Sequence, residues 1–226
     1  RLGKSEVKED AVLLERWRKA RKHLVSVDEK WEKGRIDAKV AIQQYEALIE
    51  KYGEIDLLYE ELLTSFRRAM QQVYILIDGF DAAGGQSYSD ETEVVREPRH
   101  WGTAAIRWTD PRLGEGKWSL FPRFADWSEI EALVLWVHAE KPGQIFEIRV
   151  WVNEGKGIKA PVAVRWKGWK QVRLPLRGKG SPFRGDPGAD WGKVSSIQFF
   201  KEEGLKVDVT IDDVCLERSN PRTTGR

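Results

Sequence analysis

Apolar residues in the first third of the chain recur at helical spacing. Leu13, Trp17, Ala20, Leu24, Val27 and Trp31 follow one another in alternating steps of four and three, which places them on one stripe of a helix. Gly34 interrupts the pattern where a C-cap glycine would sit. A second stripe, Ala38, Ile42, Tyr45, Ile49 and Tyr52, ends at Gly53, and a third runs Ile55, Tyr59, Leu62, Phe66, Ala69 and Val73. Three helices with short turns pack as antiparallel neighbours. Residues 1–74 are therefore predicted to form a helical hairpin or three-helix segment.

At Val73-Tyr74-Ile75-Leu76-Ile77-Asp78 the period changes. Short β-rich runs separated by Gly, Pro and Asp follow: Thr103–Thr109, Trp118–Phe124, Leu133–Ala139, Phe146–Asn153, Pro161–Trp166, Lys170–Leu176, Ser195–Phe200 and Val207–Leu216. Phe146, Ile148, Val150 and Val152 alternate with Glu147, Arg149, Trp151 and Asn153, the signature of a half-buried strand. No helical stretch interrupts the series, so residues 75–217 read as an antiparallel β-sandwich and the fold class as segregated α+β, with a polar tail at 218–226. The stretch from Gly79 to Gly102 is polar and reads as one long loop.

The last strand slips in phase. Val207, Val209 and Ile211 share one face, whereas Val214 and Leu216 fall in the opposite phase, so a bulge or an inward carboxylate is predicted at Asp212-Asp213. A carboxylate turned inward needs an ion pair, hydrogen bonds or a metal. Backbone N–H groups of a turn would serve as well as any of these.

Composition narrows the function classes. The 38 basic and 36 acidic residues nearly cancel, at net +2, which gives no general reason to expect nucleic acid or an anionic membrane. The basic run from Arg16 to His23 is interspersed on its helix with Glu9, Glu15, Asp28 and Glu29 and reads as a solvated face. No apolar run is long enough to span a bilayer. A single cysteine, Cys215, excludes an internal disulfide framework. Eleven Trp residues against one Met and one Cys invite a search for a binding surface, because indole faces favour stacking. The chain starts at Arg1 rather than Met, which reads as a processed or trimmed end and leaves room for a removed signal peptide.

Enzyme chemistry finds little support. His23, His100 and His138 are the only histidines, and none stands at metal-ligand spacing. Cys215 lies in a strand beside no evident base, and Gly178-Lys179-Gly180-Ser181 lacks the full phosphate-loop pattern. The pair Asp212-Asp213 alone does not imply glycosidase chemistry at this charge density.

The β-rich region carries an ordered series of pieces: Ile77-Asp78-Gly79-Phe80-Asp81, Ala104-Ala105-Ile106-Arg107-Trp108, the block from Asp126-Trp127 to Val137, Gly168-Trp169 to Leu176, Val194 to Phe199, and the closing Val209-Thr210-Ile211-Asp212-Asp213-Val214-Cys215-Leu216. In that order, over roughly 140 residues, they resemble the galactose-binding-like jelly roll of carbohydrate-binding modules and polysaccharide-lyase accessory domains. The helical segment around Lys33–Ala38 and Tyr45–Gly53 resembles a single tetratricopeptide-type hairpin. The jelly-roll resemblance implies a non-catalytic protein that binds a polysaccharide or glycan outside the cell or at its surface. It also implies a structural Ca²⁺ between the first and last strands, with Asp212 and Asp81 or Asp78 as hard oxygen ligands.

A glycan face needs an aromatic platform amid polar groups. The polar phase of one strand supplies Arg149, Trp151 and Asn153, and neighbouring strands would add Arg107, Trp136, His138, Arg165 and Gln198. Trp151 is the leading candidate because its phase is otherwise polar, unless the helical segment covers that face. Trp108, Trp127 and Trp169 read as structural. The alternative function is self-assembly. Three apolar helical stripes are more than so few helices can bury, and the polar tails would then lie across neighbouring copies in a filament or surface layer.

Overall fold

The computed structural model describes residues 4–78, 80, 92–98, 100, 104–112, 114–153, 155–186 and 189–219, with the backbone alone for 4–11, 56 and 57. After Tyr74 the chain divides into two compact units, the second running Ile75–Asn220. The polar tails, residues 1–3 and 220–226, lie outside the described residues.

The first unit holds α1 (Lys4–Glu32), α2 (Ala38–Tyr52) and α3 (Asp56–Val73). Gly34 adopts φ +64°, the left-handed conformation that glycine reaches without a Cβ penalty. Its N–H donates to the Trp31 carbonyl (2.9 Å) and the Arg35 N–H to the Lys30 carbonyl (2.8 Å), the paired bonds of a Schellman cap. Asp37 then caps α2, its Oδ1 accepting the Val40 N–H at 2.8 Å. The predicted stripes form the core: Leu24, Val27 and Trp31 are buried with Ile42, Tyr45 and Ile49 of α2 and Leu62, Phe66 and Ala69 of α3. Asp28 ties the three helices together, accepting from Tyr45 Oη (2.6 Å), Ser65 Oγ (3.3 Å) and Arg68 Nη2 (3.3 Å).

The start of the first stripe is corrected. Leu13 is 52% exposed, between Val12 at 63% and Leu14 at 47%. The reason is length. The 29 residues of α1 span about 43 Å, whereas the 15 and 18 residues of α2 and α3 span only about 22 and 27 Å.

The second unit is a sandwich of two antiparallel sheets. The first sheet joins β1 (Tyr74–Asp78), β2 (Thr92–Val95), β3 (Ala105–Asp110), β5 (Ile130–Ala139), β8 (Gly168–Pro175) and β11 (Val207–Arg218), in the order β2-β3-β11-β5-β8 with β1 also on β11. The second joins β4 (Gly116–Leu120), β6 (Gln144–Val152), β7 (Lys156–Val164), β9 (Arg184–Gly185) and β10 (Val194–Lys201), in the order β4-β10-β6-β7-β9. Strand β2 corrects the reading of Gly79–Gly102 as one loop. It is an edge strand on β3, and its Val94 is exposed, so no alternating burial marks it in the sequence.

Between the sheets, Ile106, Trp108, Leu135, Val137 and Val209 meet Ile148, Val150, Ile197 and Phe199. Trp118 stacks flat on Phe199 with centroids 4.0 Å apart and 4° between planes. Trp108 and Trp127 are fully buried, in agreement with their structural reading, whereas Trp169 is half-buried. The phase slip in β11 is a bulge. Asp212 pairs with Trp136 but Cys215 with Val134, so Asp213, at φ +46°, is the extra residue that returns Val214 and Leu216 to the core.

One turn cluster is pinned by a fully buried lysine. Lys201 Nζ donates to the carbonyls of Arg112 (2.8 Å), Leu205 (3.1 Å) and Gly114, and lies 3.6 Å from Asp110 Oδ2. Burial pushes Asp110 up, but hydrogen bonds from Arg112 and the charge of Lys201 outweigh it and hold the carboxyl below its ordinary range.

Candidate functional site

The outer face of the second sheet is built by the hairpin β6–β7. Gly155, at φ +88°, helps turn the chain, and the register folds Trp151 onto Gly157 and Arg149 onto Lys159. On the other side of β6, Arg149 pairs with Gln198 and Trp151 with Ser196 of β10. Since Val150, Ile158 and Ile197 point into the core, these partners all point outward.

The half-buried Trp151 indole rests over Gly157, where a Cβ would stand 3.2 Å from the ring. Gly185 brings β9 equally close, because a Cβ there would meet the Gly157 carbonyl at 2.2 Å. Two glycines thus lower the floor beside the indole. The result is a concavity of about 360 Å³ lined by Arg149, Trp151, Gly157, Lys159, Gly185 and Asp186 with Ile158 beneath.

Its polar groups are held in place. Glu147 is 8% exposed and accepts from Arg149 Nη2 (2.8 Å) and Nε (3.2 Å) on one oxygen, with Lys159 Nζ 3.3 Å from the other. The Arg149 guanidinium lies over the Phe200 ring, 3.2 Å from its centroid. Asp186 Oδ2 accepts the Gly157 N–H at 2.8 Å, which fixes the far wall. Such a site presents a flat apolar surface, fixed cations and hydrogen-bonding groups on rigid strands.

The structure divides the set of residues expected there. Arg149, Trp151 and Gln198 are brought together. Asn153 sits in the β6–β7 turn, where its Oδ1 accepts the Asp190 N–H at 3.0 Å and its N–H donates to the Lys193 carbonyl at 3.0 Å, a buttressing role. Arg165 follows β7 at the opposite end of the strand from Gly157. Trp136, His138 and Arg107 belong to the other sheet, and this is a correction. Trp136 is buried against His100, with rings stacked at 4.9 Å, and the His138 ring is 5.3 Å from Trp169. Arg107 Nη2 reaches Asp208 at 3.2 Å. Sheet membership is a long-range property that alternation within a strand does not encode.

Glu147, Gly157, Lys159, Gly185 and Asp186 escaped sequence reasoning. The first three had a usable signal, since the hairpin pairs its strands symmetrically about the turn. Gly185 and Asp186 arrive on a segment with no periodicity.

The expected calcium ligands resolve in part. Asp212 is fully buried at the bulge of β11, and its carboxylate accepts the His100 N–H (2.9 Å) and the Asp213 N–H (2.8 Å). Asp78 Oδ1 accepts the Phe80 N–H at 2.8 Å, and Asp81 lies outside the described residues. Among the described residues no group of three or more His, Cys, Asp and Glu is arranged to hold a metal.

No protein-family model and no curated protein matches the sequence. Solved structures do match. A family 30 carbohydrate-binding module superposes with a TM-score of 0.55 at 16% identity, covering 68% of this chain and 92% of the module. The family 30 module of a cellulosomal cellulase of Clostridium thermocellum gives 0.52 at 19% identity, covering 65% and 98%. A family 11 carbohydrate-binding module from Clostridium thermocellum, in complex with a β-1,3-1,4-mixed-linked tetrasaccharide, gives 0.50 at 14% identity, covering 66% and 98%. The sandwich of this chain therefore has the jelly-roll fold of the family 11 and family 30 carbohydrate-binding modules.

Proposed function

We propose that the chain is a non-catalytic carbohydrate-binding protein that holds a polysaccharide on the outer face of the sheet β4-β10-β6-β7-β9, acting outside the cell or at its surface. The observation that carries this reading is Trp151. It is a half-buried indole on the outer face of the sheet beside Arg149, packed on a glycine and opening onto a concavity with fixed hydrogen-bonding groups. A sugar ring has an apolar face suited to the indole and hydroxyls suited to Arg149, Gln198 and Asp186. The fold shared with carbohydrate-binding modules supports it. The carboxylates near the platform serve structure: Glu147 holds two cations and Asp186 holds a backbone N–H. A glycan array with the whole chain tests the reading. Retention on polysaccharide that Trp151→Ala abolishes supports it; no retention on any polysaccharide refutes it.

Self-assembly is a second reading, favoured by Val12, Leu13 and Leu14, which stand exposed on α1. Light scattering at rising concentration tests it: mass growth that Leu13→Asp abolishes supports assembly, and a constant monomer mass refutes it.

A further inference from the structure

The charge around the Trp151 platform points to the class of polysaccharide, an inference that rests on the binding reading above. Among the described residues, Arg149 and Lys159 line the concavity and Arg184 stands opposite Lys159 on β9, with Glu147 and Asp186 as the carboxylates beside them, three positive charges against two negative. One carboxylate, Glu147, is shared by two cations and is itself buried, so it positions them while neutralising only one.

Arg149 is the better built of the two. Phe200 supports the guanidinium plane from one side, and Glu147 takes its Nε and one Nη2 hydrogen. A guanidinium has five N–H donors in a planar fork, so three remain for a ligand once Glu147 is served. A fork locked in one plane loses little entropy when an oxyanion docks on it, which is how arginine recognises planar anions. Lys159 Nζ, 3.3 Å from Glu147 on a side chain 53% exposed, supplies a second cation across the hairpin. A neutral glucan would leave this surplus charge unmatched, whereas an anionic repeat unit stacked on Trp151 would match it.

We propose that the polysaccharide held at the Trp151 platform is anionic, with its carboxylate or sulfate groups bound by Arg149 and Lys159. The indole supplies the contact area, and the two cations select charged over neutral chains.

Paired polymers that share a backbone type but differ in charge test this: polygalacturonate against its methyl-esterified form, and a sulfated galactan against neutral agarose, by affinity electrophoresis of the whole chain. The expected result is that at least one anionic polymer binds tenfold or more tightly than its neutral counterpart. That preference falls on going from low salt to about 0.5 M NaCl as screening shortens to a few Å. Arg149→Met lowers anionic binding by about tenfold, the scale of one charge-assisted contact, with only partial rescue by Arg149→Lys. Preference for polygalacturonate assigns a uronate, and preference for the sulfated galactan assigns a sulfate ester. Lys159→Met is the second variant, since its exposed side chain leaves the fold intact if Arg149→Met unfolds. Equal or tighter binding to the neutral members, still abolished by Trp151→Ala, overturns the anionic assignment and leaves the platform standing. Anionic binding unchanged in Trp151→Ala also overturns it, because the charge would then act elsewhere. No binding to any of the four overturns both.

Discussion

The indole of Trp151 lies across its hairpin partner Gly157, so close that a Cβ at 157 would stand 3.2 Å from the ring. The platform therefore depends on a missing side chain one strand away. Gly157→Val is predicted to push the indole out of its position and to weaken polysaccharide binding by about tenfold, one contact's worth. The fold should persist, since valine suits a strand. Titration calorimetry beside thermal unfolding reads both effects, and unchanged affinity would deny the packing its role.

The buried ammonium of Lys201 serves three carbonyls and stands beside Asp110. Lys201→Met removes one partner of a buried pair and the ammonium from those oxygens, so it should cost about 3–5 kcal/mol. Urea unfolding measures the loss; a change below about 1 kcal/mol, the scale of an ordinary surface effect, would contradict the geometry.

Glu46 on α2 is pushed up to about 7 by burial. Its folded value exceeds its unfolded one, so its contribution to stability is complete below the ordinary carboxylate range and is lost as pH rises toward 7. Glu46→Gln should match the wild type near pH 4 and unfold at a higher temperature near pH 8. Equal melting temperatures at both pH values would refute the shift.

His100 behaves in the opposite sense. Burial holds it down to about 3, and its ring stacks on Trp136. The unfolded histidine protonates near pH 6.5, so stability is complete above that value and falls as pH drops toward 3. His100→Phe keeps a stacking ring and removes the titration. Its unfolding midpoint should vary less between pH 7 and pH 4 than that of the wild type, as differential scanning calorimetry would show.

Much of this was legible in the chain, for local reasons. The helical stripes were readable because burial on one helix face repeats every three or four residues, and Gly34 stood where a left-handed cap was needed. The bulge in β11 was readable because one extra residue, Asp213, shifts every later side chain to the other face. Trp151 stood out as an aromatic in a polar phase. What failed was non-local. Leu13 follows the stripe, but its exposure depends on how far α2 and α3 reach alongside α1. Trp136 and His138 alternate correctly within β5, yet β5 joins the other sheet. Gly185 and Asp186 complete the concavity from a segment whose strand, β9, is two residues long.

The most direct test is calorimetric titration of a bound polysaccharide into the whole chain and its Trp151→Ala variant. Truncating a central indole costs about 2 kcal/mol or more at an interface, so affinity should fall at least about thirtyfold while the unfolding temperature stays within a few degrees. Undiminished affinity in a folded Trp151→Ala variant would contradict the account, because the platform would then lie elsewhere.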